Sequence, residues 1–412
     1  MQATSWRERL RLRLGRPDST YASALFWALA IALAARVLLG LFMGIAWWAL
    51  ETHLPLDVVP ASEYYGQLQV PDTVLWRSFF GVWVRWDAVH HLNLALAGYA
   101  HLSPAESVYY PLYAGLTWVV AQPLAGDYVT AGLLVSLAAA IGTLFFVYLL
   151  AEQWFGPGTG RWAAASLAAY PTAVFLFAPF TESLFLVLAA GSFWFAYRRQ
   201  WVLTGLLAAL ASLTRGPGLA LSAAFFLILW STQGSPRANL RAYFSPGPLL
   251  AMVMPLAGGG AFLAWRAMMG YPPMADVLRN ASGLEFVDPV TGLVSALIQW
   301  FRVHDIPTTL DVFSVLLFSS VTVAMIVRPR WRRPEAIAYM GLNLLLFMSK
   351  RSFVASSLQS TSRYVLSLFP AFLVAGDWLN RTSPAKRFAY LSVSGSLLIV
   401  LSILFALWVF IG

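Results

Sequence analysis

Long apolar runs recur along the whole chain and constrain its fold more than any other feature. A membrane-spanning helix needs roughly 20 largely apolar residues, and the first run, 22–50, exceeds that. Further apolar segments lie at 128–151, 162–178, 182–197, 201–214, 217–231, 248–268, 308–327, 335–349, 363–379 and 388–411, which predicts 11 crossings. Only 11% of the 412 residues are charged and 59% are hydrophobic, whereas a soluble chain carries about a quarter charged residues. A polar surface cannot be built around these runs. That excludes a soluble enzyme and a disordered chain, and the absence of cysteine excludes a disulfide scaffold or a thiolate metal site. The expected fold class is an all-α polytopic membrane protein, one integral membrane domain over 1–412.

Charge sets the expected orientation. The net charge of +9 would suggest a nucleic-acid partner in a soluble protein; here it follows the positive-inside rule, and no nucleic acid is expected. Arg7, Arg9, Arg11, Arg13 and Arg16 place the N-terminal segment 1–21 in the cytoplasm, where it is suited to an amphipathic helix on anionic lipid. Alternation then gives the cytoplasmic side Arg198 and Arg199, Arg237 and Arg241, Arg328, Arg330, Arg332 and Arg333, and Arg381, Lys386 and Arg387. The opposite side receives Glu51, Asp57, Glu63, Asp72, Asp87, Glu106, Asp276, Glu285, Asp288 and Asp305. Residues 109–124 are apolar but short and bracketed by prolines, and a crossing there would put the later arginine clusters outside. They are read as a re-entrant or interfacial piece, which protein or a water-filled cavity must cover. Two long loops, 51–108 and 270–307, fall on the outer side, so chemistry is expected there. No internal repeat is visible, which weighs against a transporter of duplicated halves.

Four outer segments could carry chemistry. In WVRWDAVHHLNLALAGYAHLSPAESVYYPLY, a helix over 83–97 would bring Asp87, His90 and His91 to one face beside Trp86. Partial desolvation at an aromatic-rich surface would raise the proton affinity of Asp87 and suit it to general-base work. The plain alternative is an interfacial helix with tryptophans at headgroup level; a His/His/Asp metal site is a third reading. In APFTESLF, Glu182 lies between apolar runs, at an outer helix end, where Thr181 and Glu182 would equally serve as a cap. SLTRGPGLAL holds Arg215 before a Gly-Pro-Gly break, and KRSFVASSLQSTSRYVLSLFP holds Lys350, Arg351 and Arg363. Cations on the acidic side suggest an anionic ligand such as phosphate, or salt bridges to the outer acids. Asn280-Ala281-Ser282 forms a sequon that chance alone would supply.

Together these blocks resemble the PIG-V family, which adds the second mannose to glycosylphosphatidylinositol anchors, and its prokaryotic relatives. The likeness runs through RWDAVHHLNLALAGYAHLSPAESVYYPLY, YPTAVFLFAPFTESLFLVL, LTRGPGLAL and TSRYVLSLFPAFL, in order over most of 80–375. Tyr109 and Tyr110 stand where the family more often has phenylalanine. The resemblance implies a GT-C glycosyltransferase using a polyprenyl- or dolichyl-phosphate sugar, with mannose expected, and working without metal or nucleotide cofactor. It implies Asp87 as general base for an inverting transfer to a glycolipid, glycan or protein hydroxyl, giving an α-mannoside. Arg363 is the first choice for the donor phosphate, with Arg215, Lys350, Arg351, His90 and His91 as further candidates. Glu182, Trp86 and Tyr110 would hold sugar or acceptor or structure the site, and the prenyl tail would lie near 109–124. The membrane would be the plasma membrane in a prokaryote or the endoplasmic reticulum in a eukaryote, with the site on the non-cytoplasmic side. The rival is a flippase or transporter of a lipid-linked saccharide. Two lysines against 25 arginines hint at a GC-rich prokaryote.

Overall fold

The computed structural model of the chain describes residues 17–53, 65–71, 73–101, 103–233 and 240–412. Arg7 to Arg16, Asp57, Glu63, Asp72 and Arg237, which entered the orientation argument, lie outside the described residues. From the N-terminal side, α1 (Pro17–His53) is followed by α2 (Val74–Phe79), a single turn at 81–83, and α3 (Asp87–Ala97). Next come α4 (Pro111–Ala121), α5 (Tyr128–Phe155), α6 (Thr159–Ala168), α7 (Glu182–Tyr197) and α8 (Trp201–Ser212). They lead to α9 (Leu221–Gln233), the short α10 (Leu240–Tyr243) and α11 (Pro246–Met268). The segment 270–307 contains α12 (Met274–Ser282), β1 (Leu284–Phe286) and α13 (Pro289–Val303). The chain continues through α14 (Ile306–Val327), α15 (Pro334–Met348), β2 (Lys350–Ser352), α16 (Thr361–Tyr364), α17 (Phe369–Arg381) and α18 (Pro384–Ala406). Among the described residues the fold is all-α apart from β1 and β2, which pair antiparallel with Glu285 opposite Arg351.

Among the described residues five helices, α1, α5, α11, α14 and α18, are long and apolar enough to cross a membrane. The apolar runs between them are shorter and interrupted. The run at 162–178 ends as a helix at Ala168 and resumes as a turn at 173–176, after Pro171. The run at 217–231 begins as a 3-10 turn at 216–220 around Pro217, and that at 363–379 breaks between 364 and 369, ahead of Pro370. Proline removes a donor and clashes with the preceding turn, so each run splits there. The irregular backbone is tolerated because protein covers it: Ala173, Val174, Phe177, Val365, Leu366 and Leu368 are fully buried. The expected last run over 388–411 also ends early, at Ala406, and 407–412 folds back against the 86–87 and 362 regions. The 109–124 segment forms α4, whose 11 residues reach about 17 Å, short of a bilayer core.

Acids on loops start helices. Asp127, Asp288 and Asp305 each accept backbone N–H groups at the first turn of α5, α13 and α14, which satisfies orphan donors and matches the helix dipole. Small residues set the helix spacing. Ala24, Ala28 and Ala32 repeat every fourth residue on the fully buried face of α1, while Leu25, Phe26, Leu29 and Leu33 on its other faces are exposed. Gly205 and Ala209 of α8 meet Ala251 and Gly258 of α11 in the same way; a Cβ on Gly258 would lie 2.5 Å from the Ala209 carbonyl oxygen. Gly258→Val therefore forces α8 and α11 apart and is expected to cost about 1–3 kcal/mol. Thermal melting in detergent checks this; an unchanged melting point would mean the two helices have room to separate.

Candidate functional site

Asp87 is placed by a backbone constraint. The expected helix over 83–97 starts only at Asp87, because Trp86 takes a left-handed φ of 54° with ψ of −128°, which no helix accommodates. Such a conformation is costly for a bulky residue and persists only when its surroundings enforce it. Trp86 is held edge-on between Trp408 and Phe410. The adjacent Arg85, fully buried, donates to the carbonyls of Ala406, Gly81 and Val84. This ties the loop to the end of α18 and aims Asp87 inward from the first turn of α3.

Four charged side chains from four elements then join in alternation. Arg363 of α16 donates from Nη1 to Asp87 Oδ2 at 2.8 Å, and its Nε lies 3.0 Å from Glu182 Oε1. Glu182 opens α7 and is 3% exposed; the same Oε1 also receives Arg215 Nη1. Arg215 further donates to the Thr181 hydroxyl at 3.1 Å. Of the cap considered above, Glu182 does stand in the first turn of α7, but no side-chain cap forms at Thr181, whose hydroxyl accepts from Arg215, and Glu182 Oε1 is shared by Arg215 and Arg363. The second Asp87 oxygen, Oδ1, accepts the Tyr109 hydroxyl at 3.2 Å. The Tyr364 ring sits among three cations, with Lys350 at 4.3 Å, Arg215 at 4.7 Å and Arg363 at 5.1 Å from its centre.

A cavity of about 310 Å³ opens onto these groups. Asp87, His91, Tyr110, Arg215, Lys350 and Arg363 line it, with Glu182 behind the wall. Three cations thus face one carboxylate, an excess that suits an anionic ligand. Lys350 is buried and donates to the Gln359 carbonyl, and burial lowers its proton affinity against the opposing pull of Asp311. Arg351 is not in the wall; it points the other way, 3.2 Å from Glu285. His90 is also outside it, stacked on Tyr109 and 3.0 Å from Glu106. His91 packs against Tyr109, Tyr113 and Phe180, so the two histidines and Asp87 do not converge on one point. Among the described residues no group of three or more His, Cys, Asp or Glu side chains could hold a metal ion.

The electrostatics correct one expectation. Burial does push the Asp87 carboxyl up, as expected, but the Arg363 guanidinium, with His91 and His90 after it, outweighs burial and holds it at about 2. Asp87 is thus not a carboxyl of raised proton affinity but a paired carboxylate. His91 is held down at about 3, because burial exceeds the attraction of Asp87 and Arg363 adds repulsion, so the ring is neutral. Burial and the Asp87 charge push the Tyr109 hydroxyl well above its ordinary value and keep it a donor.

Sequence reasoning passed over Tyr109, noted only as a departure from a family pattern, and Tyr364, whose only signal was its place beside Arg363. It also passed over Arg36, an arginine inside the first apolar run, which donates to the Phe177 carbonyl at 3.0 Å and stacks on Trp83. No protein-family model matches the chain, and neither does any curated protein sequence.

The Asp87–Arg363 pair has a testable pH signature. A carboxyl depressed by folding contributes stability above its unfolded value, about 3.9, and loses it only as pH falls through about 2. Asp87→Asn is therefore expected to destabilise the protein by about 1–3 kcal/mol, with a gap to the wild type that stays constant from pH 8 to 5. Melting curves across that range check it; a gap that closes near pH 6 would mean the pair is not formed.

Proposed function

We propose that the protein is a membrane-embedded glycosyltransferase of GT-C architecture, transferring a sugar, with mannose expected, from a polyprenyl- or dolichyl-phosphate donor to an acceptor hydroxyl. The observation that carries this reading is the cavity in which Asp87 faces Arg215, Lys350 and Arg363. An inverting transfer needs one base on one side of the anomeric carbon and fixed cations for the phosphate that leaves on the other. Asp87 takes the proton of the acceptor hydroxyl as its oxygen forms a bond to the anomeric carbon. The bond from that carbon to the phosphate oxygen breaks, and its electron pair stays on the lipid phosphate. Arg363, Arg215 and Lys350 hold that charge. No covalent intermediate is needed, so the absence of a second carboxylate in the cavity wall is compatible with the scheme. Tyr110 and His91 line the space left for sugar and acceptor, Glu182 anchors the two arginines, and Trp86 fixes the start of α3.

Eleven crossings with a cytoplasmic N-terminus and an outer site belong to the same proposal. The five long helices and the shorter apolar helices α7, α8, α9 and α15 make nine, and the two broken runs at 162–178 and 363–379 bring the proposed count to eleven. The charge distribution supports the orientation. Arg330 and Arg381 meet Asp377, and Arg333 donates to the Trp154 carbonyl, at the end of the bundle where α7 finishes with Tyr197 bonded to Glu335. Glu182 opens the same helix at its other end, about 24 Å away for 16 residues. The chain has no cysteine, so single cysteines report topology cleanly. Ser103→Cys is expected to react with a membrane-impermeant maleimide in intact cells and Ser383→Cys only after permeabilisation; the reverse pattern would invert the orientation.

Activity is tested with purified protein in detergent, labelled polyprenyl-phosphate mannose and a glycolipid extract of the host membrane. Label is expected to enter a new product as polyprenyl phosphate is released. Asp87→Asn should lower the rate by about 10²–10⁴-fold without loss of donor binding, and Arg363→Ala should weaken donor binding above all. A flippase would leave the donor uncleaved, since detergent offers no membrane to cross. Uncleaved donor with every acceptor fraction would overturn the transferase reading.

A further inference from the structure

Asp87 is held by partners from two other elements. Oδ1 accepts the Tyr109 hydroxyl and Oδ2 accepts Arg363 Nη1; each oxygen keeps a further lone pair, but the guanidinium holds the carboxylate's proton affinity low and makes it a poor base. The groups that face this carboxylate are His90 and His91 on its own helix, Tyr109 from the loop before α4, and Arg363 from α16, with Glu182 and Arg215 behind. Tyr109 and Arg363 both bind Asp87 and line the cavity, and Arg363 is the charged one of the two, beside Lys350 and Arg215.

Arg363 has a fixed end and a free end. Its Nε is against Glu182, which is 3% exposed and is held from the other side by Arg215. Phe175, Phe180 and Tyr364 surround the guanidinium at 5.1–5.4 Å. Its Nη atoms point to Asp87 and the cavity. A phosphate between Arg215, Lys350 and Arg363 would present oxygens to the same fork, and arginine binds phosphate through two parallel hydrogen bonds.

We propose, resting on the glycosyl-transfer reading, that donor phosphate and Asp87 exchange for Arg363: the incoming phosphate takes the Nη end of the fork, Glu182 keeps the Nε end as pivot, and Asp87 Oδ2 is released to act as base. Glu182 is then a positioning residue, and the base is idle until the leaving group is seated. Binding is ordered, donor before productive acceptor. With its cationic partner turned away and an anion nearby, Asp87 gains proton affinity, since the opposing cation is what offsets the effect of burial.

Infrared difference spectra of the wild-type protein in detergent, with undecaprenyl phosphate as the probe and Asp87→Asn to assign the band, test the exchange. Calorimetry on the same samples measures binding. Without the lipid, the Asp87 carboxylate stretch is expected to persist from pH 7 to pH 4. With it, the stretch should shift in frequency at pH 7 and lose intensity with a midpoint above about 4. Binding without any change in the Asp87 band would overturn the exchange while leaving the phosphate site in place. No binding would overturn the glycosyl-transfer reading and the exchange with it.

Discussion

Four charges in a row, Arg363 and Glu182 buried and Asp87 and Arg215 half-buried, decide how the rest of this end of the bundle is arranged. In a medium of low polarity each of these groups is expensive to bury alone, and the expense is offset only by close, well-aligned partners. The four come from α3, α16, α7 and the turn before α9, four elements far apart in the chain. Their alternation ties together the loop, the two broken runs and the start of α7. Removing any one leaves an uncompensated charge on a neighbour, so the row works as a single unit.

Broken helices make that convergence possible. An unbroken helix would carry Arg215 or Arg363 along its side, whereas the breaks near Pro217 and Pro370 let the chain present them at an end. Breaking a helix frees carbonyls, and three more buried or half-buried arginines take up such groups. Arg36 reaches the Phe177 carbonyl, Arg85 the Ala406 carbonyl, and Arg266 the carbonyls of Ser107 and Pro272. One side-chain type thus satisfies irregular backbone at several depths, because its fork can serve two or more oxygens at once. The arginine excess of the composition therefore has two origins, loop charge on one side and backbone satisfaction within the fold.

The long apolar runs were legible because length and hydropathy alone define them; α1, α5, α11 and α14 fall within a few residues of expectation. The four polar blocks were legible because charge is rare in this chain, and Asp87, Glu182, Arg215 and Arg363 do meet. What composition could not supply was direction. Arg351 and Lys350 are neighbours, yet the strand pairing of β2 with β1 turns Arg351 toward Glu285 and leaves Lys350 toward the cavity. His90 and His91 separate likewise, one onto Glu106 and one among aromatic rings. The proton affinity of Asp87 was misjudged because desolvation is visible from neighbouring apolar residues, while the Arg363 partner lies 276 positions further along the sequence.

Pairing and reactivity pull against each other at this site. A carboxylate held by a guanidinium and a phenol is stable and correctly aimed, but it is a poor base. The remaining cation in the wall, Lys350, donates to a main-chain carbonyl and stands over a ring, with its charge partly opposed by Asp311. Three cations and one carboxylate line the cavity, and Glu182 and Asp311 stand behind them, so the excess of positive charge is confined to the wall itself. An anion entering there lowers that imbalance, and the nearest group it can draw away is the guanidinium that restrains Asp87. The guanidinium that restrains Asp87 is thus the same charge that would let a phosphate ligand set the base free.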